Sequence, residues 1–283
     1  MQVRVMDIMS KDVVYAEIPG TRREVLELMS RTGYSSLPVV KKDTGKYVGM
    51  VSLSDMVEKS DEEQLALLVN RSVPSVSPED ELKKIAEIML KKNIRKLPVV
   101  KDGKVVGIIS IADIVHKAIP LLNIREPIKN IFREKVLTVW EETPLNVALK
   151  IMKLAKTNVL IALDINLKPS GIITEADIIT QAKIVLIERS SSLTAPSEGT
   201  EWDWDVQTII YVTKGELHIP RDIKVKDVMT KKIVSVTKYT SISSCARIMA
   251  KYDYDQLPVL DAEGNLIGII FDVDLVKAVV NRL

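Results

Sequence analysis

One short pattern occurs four times along the 283 residues of this chain. In each copy a glycine is followed by two apolar residues, and an aspartate stands six positions after the glycine. The copies are GMVSLSDMVE (49–58), GIISIADIVH (107–116), GIITEADIIT (171–180) and GIIFDVDLVK (268–277). A pattern that recurs with constant internal spacing predicts that the fold is built from four copies of one structural unit.

The residues around the second copy show what one unit contains. Apolar residues lie at helical spacing from Leu82 to Met89, after Ser77, which we expect to cap the helix. The stretch KLPVVKDGKVVGIIS (96–110) is typical of two strands joined by an Asp-Gly turn, and IADIVHKAI (111–119) of a second, short helix. With a β-rich piece before the first helix, the sequence predicts an α+β fold of four β-α-β-β-α repeats.

A unit of about 55 residues is only marginally stable alone, because it buries a small share of its surface. We therefore expect repeats 1 and 2 to pair, and repeats 3 and 4 to pair, so that each covers the sheet of its partner. The predicted boundaries are 1–67 for repeat 1, 68–122 for repeat 2, 123–183 for repeat 3, 184–222 for an insert and 223–283 for repeat 4.

The insert at 184–222 lies outside the repeat pattern. SSSLTAPSEGTE (190–201) has loop composition, whereas QTIIYVTKGELHI (207–219) has β composition and predicts a hairpin that turns at Lys214-Gly215. Trp202 and Trp204 alternate with acidic residues between the two stretches. Three interpretations remain open: an ordered excursion that packs on its own module, a partner-docking or lid element, and a disordered segment.

Composition excludes several classes of protein. The only cysteine, Cys245, cannot form an intramolecular disulfide, and with two histidines in the whole chain a zinc site is not expected. Cys245 occupies an apolar helical position, where we expect it to be buried. A net charge of +2 gives no overall signal for nucleic acid, and no targeting segment or long apolar span is found. We expect a cytoplasmic protein.

The combination LPVV…GIISIAD in this framing resembles the CBS domain, named after cystathionine β-synthase. DIMS (7–10) and DVMT (227–230) match the usual opening of that domain. Four such units resemble two Bateman modules, each a pair of CBS domains. This arrangement is similar to the gamma subunit of AMP-activated protein kinase and its prokaryotic relatives.

The resemblance implies clefts between paired repeats that bind AMP, ADP, ATP or S-adenosylmethionine. It assigns the ribose to the aspartate of each glycine stretch, because one carboxylate can accept both ribose hydroxyls. The hydroxyl residue three places after the glycine would contact a phosphate or ribose oxygen, although such residues are also ordinary helix caps. The ribose positions are Asp55, Asp113, Asp177 and Asp274, and the hydroxyl positions are Ser52, Ser110 and Thr174.

Basic residues just before the LP pair contact phosphates in kinase-gamma-like chains. Only repeat 2 matches, with Arg95 and Lys96, and a solvated basic strand edge is the alternative. Arg95 is the stronger candidate, since a guanidinium grips a phosphate through two parallel hydrogen bonds. Ser10 and Thr230 match the region that lines the adenine pocket. Repeats 2 and 3 depart there, with VNRS (69–72) and IFRE (131–134).

The fourth copy departs at two further positions. Phe271 replaces the hydroxyl residue, and Asp255 stands where repeat 2 has Arg95. We therefore expect the fourth site to be the weakest for charged nucleotides, or empty. The acidic runs DYD (253–255) and FDVD (271–274) are interpreted as a solvated acidic edge rather than a magnesium site.

The leading hypothesis is a non-catalytic energy sensor that binds adenine nucleotides, without a required cofactor or metal. Two alternatives are a sensor of S-adenosylmethionine or another adenosyl compound, and a scaffold with vestigial sites that docks a kinase-like or other protein. No catalytic motif favours an enzyme. A homodimer is compatible with the sequence, whereas nucleic acid and membrane partners are not expected.

Overall fold

The computed structural model describes residues 3–59, 62–180, 183–193, 208–218 and 222–283. The chain divides into two compact units. Unit 1 contains residues 1–134, 235–260 and 268–283, and unit 2 contains residues 135–234 and 261–267. These units do not follow the repeats, since residues of repeat 4 belong to both. The repeat boundaries expected from the sequence therefore stay predictions.

Repeat 1 has the expected order of elements. The long helix α2 starts at a reciprocal capping box between Thr21 and Glu24 and ends at Gly33, which adopts the left-handed conformation (φ 73°). The elements are α1 (Val5–Ile8), β1 (Ala16–Ile18), α2 (Arg22–Thr32), β2 (Ser36–Lys41), β3 (Tyr47–Ser52) and α3 (Leu53–Glu58). The sheet has the order β1-β2-β3, with β1 parallel and β3 antiparallel to β2.

Repeat 2 differs from the expected pattern at its start. Only an isolated bridge, Val76 to Val99, stands where a first strand was expected, and Pro74 just before it cannot donate a ladder hydrogen bond. Ser77 does not cap the long helix, since its N–H bonds Asp80 in a separate turn (2.8 Å) and the helix begins at Leu82. The elements are α4 (Leu65–Leu68), α5 (Leu82–Lys92), β4 (Lys96–Lys101), β5 (Lys104–Ser110) and α6 (Ile111–Asp113), which continues as a π turn to Ala118.

Repeat 3 and the insert follow. The repeat comprises β6 (Thr138–Trp140), α7 (Leu145–Ala155), β7 (Val159–Leu163), β8 (Pro169–Thr174) and α8 (Glu175–Thr180). The insert forms an antiparallel ribbon of β9 (Lys183–Leu193) and β10 (Thr208–His218).

The predicted turn of the insert was wrong. Lys214 and Gly215 lie inside β10, paired with Ile187 and Leu186, because the partner strand comes from before the loop-like segment. Part of SSSLTAPSEGTE is therefore strand. Trp202 and Trp204 lie outside the described residues.

Repeat 4 returns to the expected order. Its elements are α9 (Val225–Val228), β11 (Val236–Thr237), α10 (Ile242–Tyr252), β12 (Gln256–Leu260), β13 (Leu266–Phe271) and α11 (Asp272–Val279). The sheet has the order β11-β12-β13. No helix in the described parts of the chain is long and apolar enough to cross a membrane.

Each repeat begins with an opening segment that packs on the partner repeat. We define these segments as residues 4–10, 64–70, 127–133 and 224–230. In unit 1, Ser10 pairs with Ile108 of repeat 2, and Asn70 pairs with Met50 of repeat 1. Both pairs carry reciprocal backbone hydrogen bonds of 2.8–3.1 Å. The expected pairing of repeats 1 and 2 is therefore made by exchange of backbone segments.

The opening segments of repeats 3 and 4 do the same, each within one unit. In unit 1, Arg133 pairs with Ile269 of repeat 4, and in unit 2, Thr230 pairs with Ile172 of repeat 3. The buried core of repeat 3 includes Val225 from the opening segment of repeat 4. Burial of such a side chain contributes about 1.5–3 kcal/mol, so each exchanged segment stabilises the repeat that receives it.

The repeated glycine is required by this exchange. A Cβ on Gly49 would lie 2.6 Å from the carbonyl oxygen of Asn70, and a Cβ on Gly268 would lie 2.3 Å from Cδ2 of Phe132. No larger residue fits between the strand and the opening segment without moving one of them. The glycine of each repeat thus marks the strand on which the partner docks.

The reactivity of Cys245 reports on the packing of α10, because this residue carries the only thiol of the chain. Its side chain is buried, as expected, and burial raises the pKa of the thiol to about 12. At pH 8 the native protein should react with a disulfide reagent at least about 100-fold more slowly than the chain unfolded in guanidinium. Equal rates for the native and unfolded protein would contradict the buried position.

Candidate functional site

In repeats 1, 2 and 3 the glycine strand ends at a strand-to-helix turn that is held by a hydroxyl–carboxylate pair. In repeat 1 the N–H of Ser52 donates to Oδ2 of Asp55 (2.8 Å), and the N–H of Asp55 donates to Oγ of Ser52 (3.2 Å). The pairs Ser110–Asp113 and Thr174–Asp177 repeat this capping box. The hydroxyl and carboxylate positions therefore have a structural role as helix caps, and each cap uses one carboxylate oxygen.

A cavity of about 530 Å³ in unit 1 gathers many of the residues that the sequence analysis selected. Its size is within the range of small-molecule sites. Repeats 1 and 2 supply most of the wall, and repeat 4 adds one carboxylate. The polar lining includes Ser52, Asp55, Asn70, Arg95, Lys96, Ser110 and Asp255.

The second carboxylate oxygen distinguishes the repeats. Among the described residues, Oδ1 of Asp55 has no hydrogen-bond partner, so it can accept a ligand hydroxyl. In repeat 2, Oδ1 of Asp113 accepts a hydrogen bond from Nζ of Lys117 (2.7 Å) and one from Oγ of Ser10 (3.4 Å). In repeat 4, Oδ1 of Asp274 accepts from Nη2 of Arg133 (2.8 Å).

Arg95 lies on the cavity wall and is held by repeat 4. Its Nη1 and Nη2 donate to the two oxygens of Asp272 (3.2 and 2.6 Å), and Nη2 also lies 3.2 Å from Asp255. Burial acts to lower the pKa of Arg95, but the hydrogen bonds and charge of Asp272, with Asp255, outweigh burial and raise it. Burial raises the pKa of the Asp272 carboxyl, although Arg95 acts to lower it.

The interpretation of FDVD as a solvated acidic edge was wrong. The side chain of Asp272 is 0% exposed, and that of Asp274 is 9% exposed. Each is gripped by an arginine from outside repeat 4, because a buried carboxylate is tolerated only when it is paired. No group of acidic, His or Cys residues that could hold a metal ion occurs in the parts of the chain that the structure describes.

Lys96 is the second cation of the cavity. Its ammonium lies 5.7 Å from the centroid of the Tyr34 ring, and no acidic partner is found for it in the described part of the chain. A cation on an aromatic face is weakly held and remains available to a ligand. Arg95 and Lys96 therefore differ: Arg95 is already paired, and Lys96 is not.

The opening segments bring a polar residue to the glycine strand of each repeat, which ends at the repeated aspartate. Ser10 contacts Asp113, and Thr230 is bonded through its backbone to Ile172 in the glycine strand of repeat 3. Asn70 and Arg133 occupy the equivalent places at repeats 1 and 4. These two residues were not predicted as site residues from the sequence, although their segments, VNRS and IFRE, depart from the family pattern.

These features define a class of protein: paired β-α-β-β-α repeats that exchange opening segments and carry a polar cavity between two of the repeats. The model of the CBS domain family matches residues 5–62, 65–119, 128–183 and 225–281. The chain belongs to the CBS domain family, as the sequence resemblance predicted.

Two curated or solved archaeal proteins and one further solved structure are similar over nearly the whole of this chain. Uncharacterized protein MJ1404 of Methanocaldococcus jannaschii is 27% identical over 96% of this chain, which spans 61% of that protein. A crystal structure of an uncharacterized conserved protein from Pyrococcus horikoshii is 29% identical, covering 98% of this chain and 99% of that one (TM-score 0.65). MJ1225 of M. jannaschii, which has been proposed as an archaeal homologue of γ-AMPK, has the same coverage with 20% identity and a TM-score of 0.69.

The pair of Arg95 and Asp272 yields a stability prediction. R95A should lower the free energy of unfolding by about 2 kcal/mol at pH 7, less than the ~3–5 kcal/mol of a fully buried pair because Arg95 is 52% exposed. R23A, which removes an ion pair whose arginine is 85% exposed, is the control and should cause no measurable loss in urea unfolding.

The loss in R95A should also depend on pH. Without Arg95, burial holds the pKa of Asp272 in the folded state further above its ordinary value. Such a carboxyl favours folding at low pH and disfavours it as the pH rises through the folded pKa, so the deficit of R95A should grow as the pH rises above about 4. A deficit equal to that of R23A at every pH would contradict the importance of this pair.

Proposed function

We propose that this chain is a non-catalytic regulatory protein that binds adenine nucleotides (AMP, ADP or ATP) in the cavity of repeats 1 and 2. The observation that carries the proposal is the content of that cavity. A carboxylate with an unused oxygen, four serines and two cations line one space of suitable size.

The ribose is assigned to Asp55. Its Oδ1 is unpaired among the described residues, and the hydroxyl of Ser52 can turn from Oδ2 of Asp55 toward a ligand. A ribose that donates two hydroxyls to this carboxylate gains charge-assisted hydrogen bonds. Asp113 and Asp177 remain proposed ribose positions for further ligands, and Ser10 and Thr230 remain proposed neighbours of the adenine.

The phosphate is assigned to Lys96 and Arg95, with Ser110 as a further donor from repeat 2. Lys96 can turn from Tyr34 toward a phosphate without breaking an ion pair. Arg95 is shared with Asp272 and Asp255 of repeat 4. A bound phosphate therefore competes with the carboxylates of repeat 4 for the guanidinium of Arg95. As a result, the ligand-bound and ligand-free proteins make unequal contacts between Arg95 and repeat 4. Such a difference is what regulation by a ligand requires.

A ligand panel tests the proposal. AMP, ADP, ATP, NAD and S-adenosylmethionine are each added to the protein, and the unfolding midpoint is measured. A ligand at a hundredfold excess over its dissociation constant stabilises the folded state by about 2.7 kcal/mol. We expect the adenine nucleotides to raise the midpoint more than S-adenosylmethionine, and the proposal fails if none of the five raises it.

Asp55 provides the matched variant. D55N should weaken AMP binding about 10- to 100-fold in calorimetry, because a hydrogen bond to a charged group contributes about 1.5–3 kcal/mol. D43N, at an exposed turn position, is the control and should bind AMP like the wild type. Equal AMP affinity in D55N and the wild type would refute the assignment of ribose to Asp55.

A further inference from the structure

The last residue of each opening segment lies beside a ribose position, and one of the four is an arginine. Ser10, Asn70 and Thr230 are small and polar, whereas Arg133 carries a guanidinium. All four make the same backbone pair with the residue that follows the repeated glycine. The chain therefore places Arg133 where the other repeats place a short side chain.

Arg133 binds the carboxylate of Asp274 through two hydrogen bonds. Its Nε donates to Oδ2 (2.9 Å) and its Nη2 donates to Oδ1 (2.8 Å). The guanidinium carbon also lies 4.5 Å from the centroid of the Phe271 ring, in cation–π contact. Both oxygens of Asp274 are consequently used by the chain itself.

Comparison with the cavity of repeats 1 and 2 shows what this contact occupies. There, the equivalents of Arg133 and Asp274 are Asn70 and Asp55, and both line the open space. A side chain as long as arginine at position 70 would extend into the same space and reach the same carboxylate. In repeat 4 the guanidinium of Arg133 thus occupies the space beside Asp274 that is open beside Asp55.

Phe271 completes the arrangement. The three other repeats have a hydroxyl residue at this place that caps the helix and donates to the aspartate. In repeat 4 only the backbone N–H of Phe271 remains as a cap donor (3.3 Å). The aromatic ring instead forms a face for the guanidinium, so Phe271 and Arg133 act together.

We infer that Arg133 is a permanent internal occupant of the repeat 4 site, and that it determines how many ligands the chain binds. A ligand ribose would have to displace a bidentate guanidinium from a carboxylate that is nearly buried. The inference rests on the proposed function for the ligand class, but it is a statement about Arg133. On this inference, the fourth site binds no ligand because Arg133 occupies it. Asp255 is not the cause, because it forms an ion pair with Arg95.

Reciprocal exchange of the two equivalent side chains tests this inference. The number of binding sites is measured by calorimetry with AMP and, because Phe271 offers no hydroxyl to a phosphate, also with adenosine. R133N should gain one adenosine site relative to the wild type, and the R133N/D274N double variant should lose it again. N70R should lose the site that D55N weakens.

A second variant does not depend on the folding of R133N. D274N in the wild-type background should leave the number and affinity of AMP and adenosine sites unchanged. A lost site in D274N would overturn the inference, as would an R133N protein with native circular dichroism and no added site, or an N70R protein that binds AMP like the wild type.

The outcomes separate this inference from the proposed function. If the wild type and D55N both bind no AMP, the proposed function fails, while a gained adenosine site in R133N still supports the role of Arg133. If the wild type binds AMP at Asp55 and R133N gains nothing, the proposed function stands and the role of Arg133 is refuted.

Discussion

The exchanged opening segments hold the paired repeats together and set the geometry of each strand end. In each repeat the strand after the glycine gives two backbone hydrogen bonds to a segment that belongs to the partner repeat. A glycine is required because the docked segment lies where a Cβ would be. The same exchange brings one side chain to each glycine strand: Ser10, Asn70, Arg133 or Thr230. One backbone interaction thus both pairs the repeats and selects the side chain at each proposed ligand site.

Most of this architecture could be predicted from the sequence, because it is repeated four times. The constant spacing from glycine to aspartate, the helical periodicity and the apolar runs are local signals, and they indicated the α+β repeats, their pairing and the burial of Cys245. The same recurrence placed Asp55 and Ser52 at one strand end. Arg95 and Lys96 were selected because the family resemblance implies basic residues before the LP pair and only repeat 2 has them, and they lie in the cavity with Asp55.

The missed features depend on partners that are distant in sequence. Arg133 meets Asp274 across 141 positions, and Arg95 meets Asp272 across 177. The local sequence does not show that an acidic run such as FDVD will be buried. The free-energy cost of burying its carboxylates is offset by arginines from other repeats, which are distant in the sequence. The turn of the insert was misplaced for a similar reason: Lys-Gly favours a turn, but pairing of Thr208–His218 with Lys183–Leu193 places it inside a strand.

We propose that the chain's own arginine closes one ligand site while an equivalent site stays open. A crystal structure of the wild-type protein with AMP would decide between the two arrangements. We expect AMP in the cavity of repeats 1 and 2, with its ribose on Asp55 and its phosphate toward Lys96 and Arg95, and Arg133 still bonded to Asp274. A ribose bound to Asp274 with Arg133 displaced, or no AMP in that cavity, would contradict it.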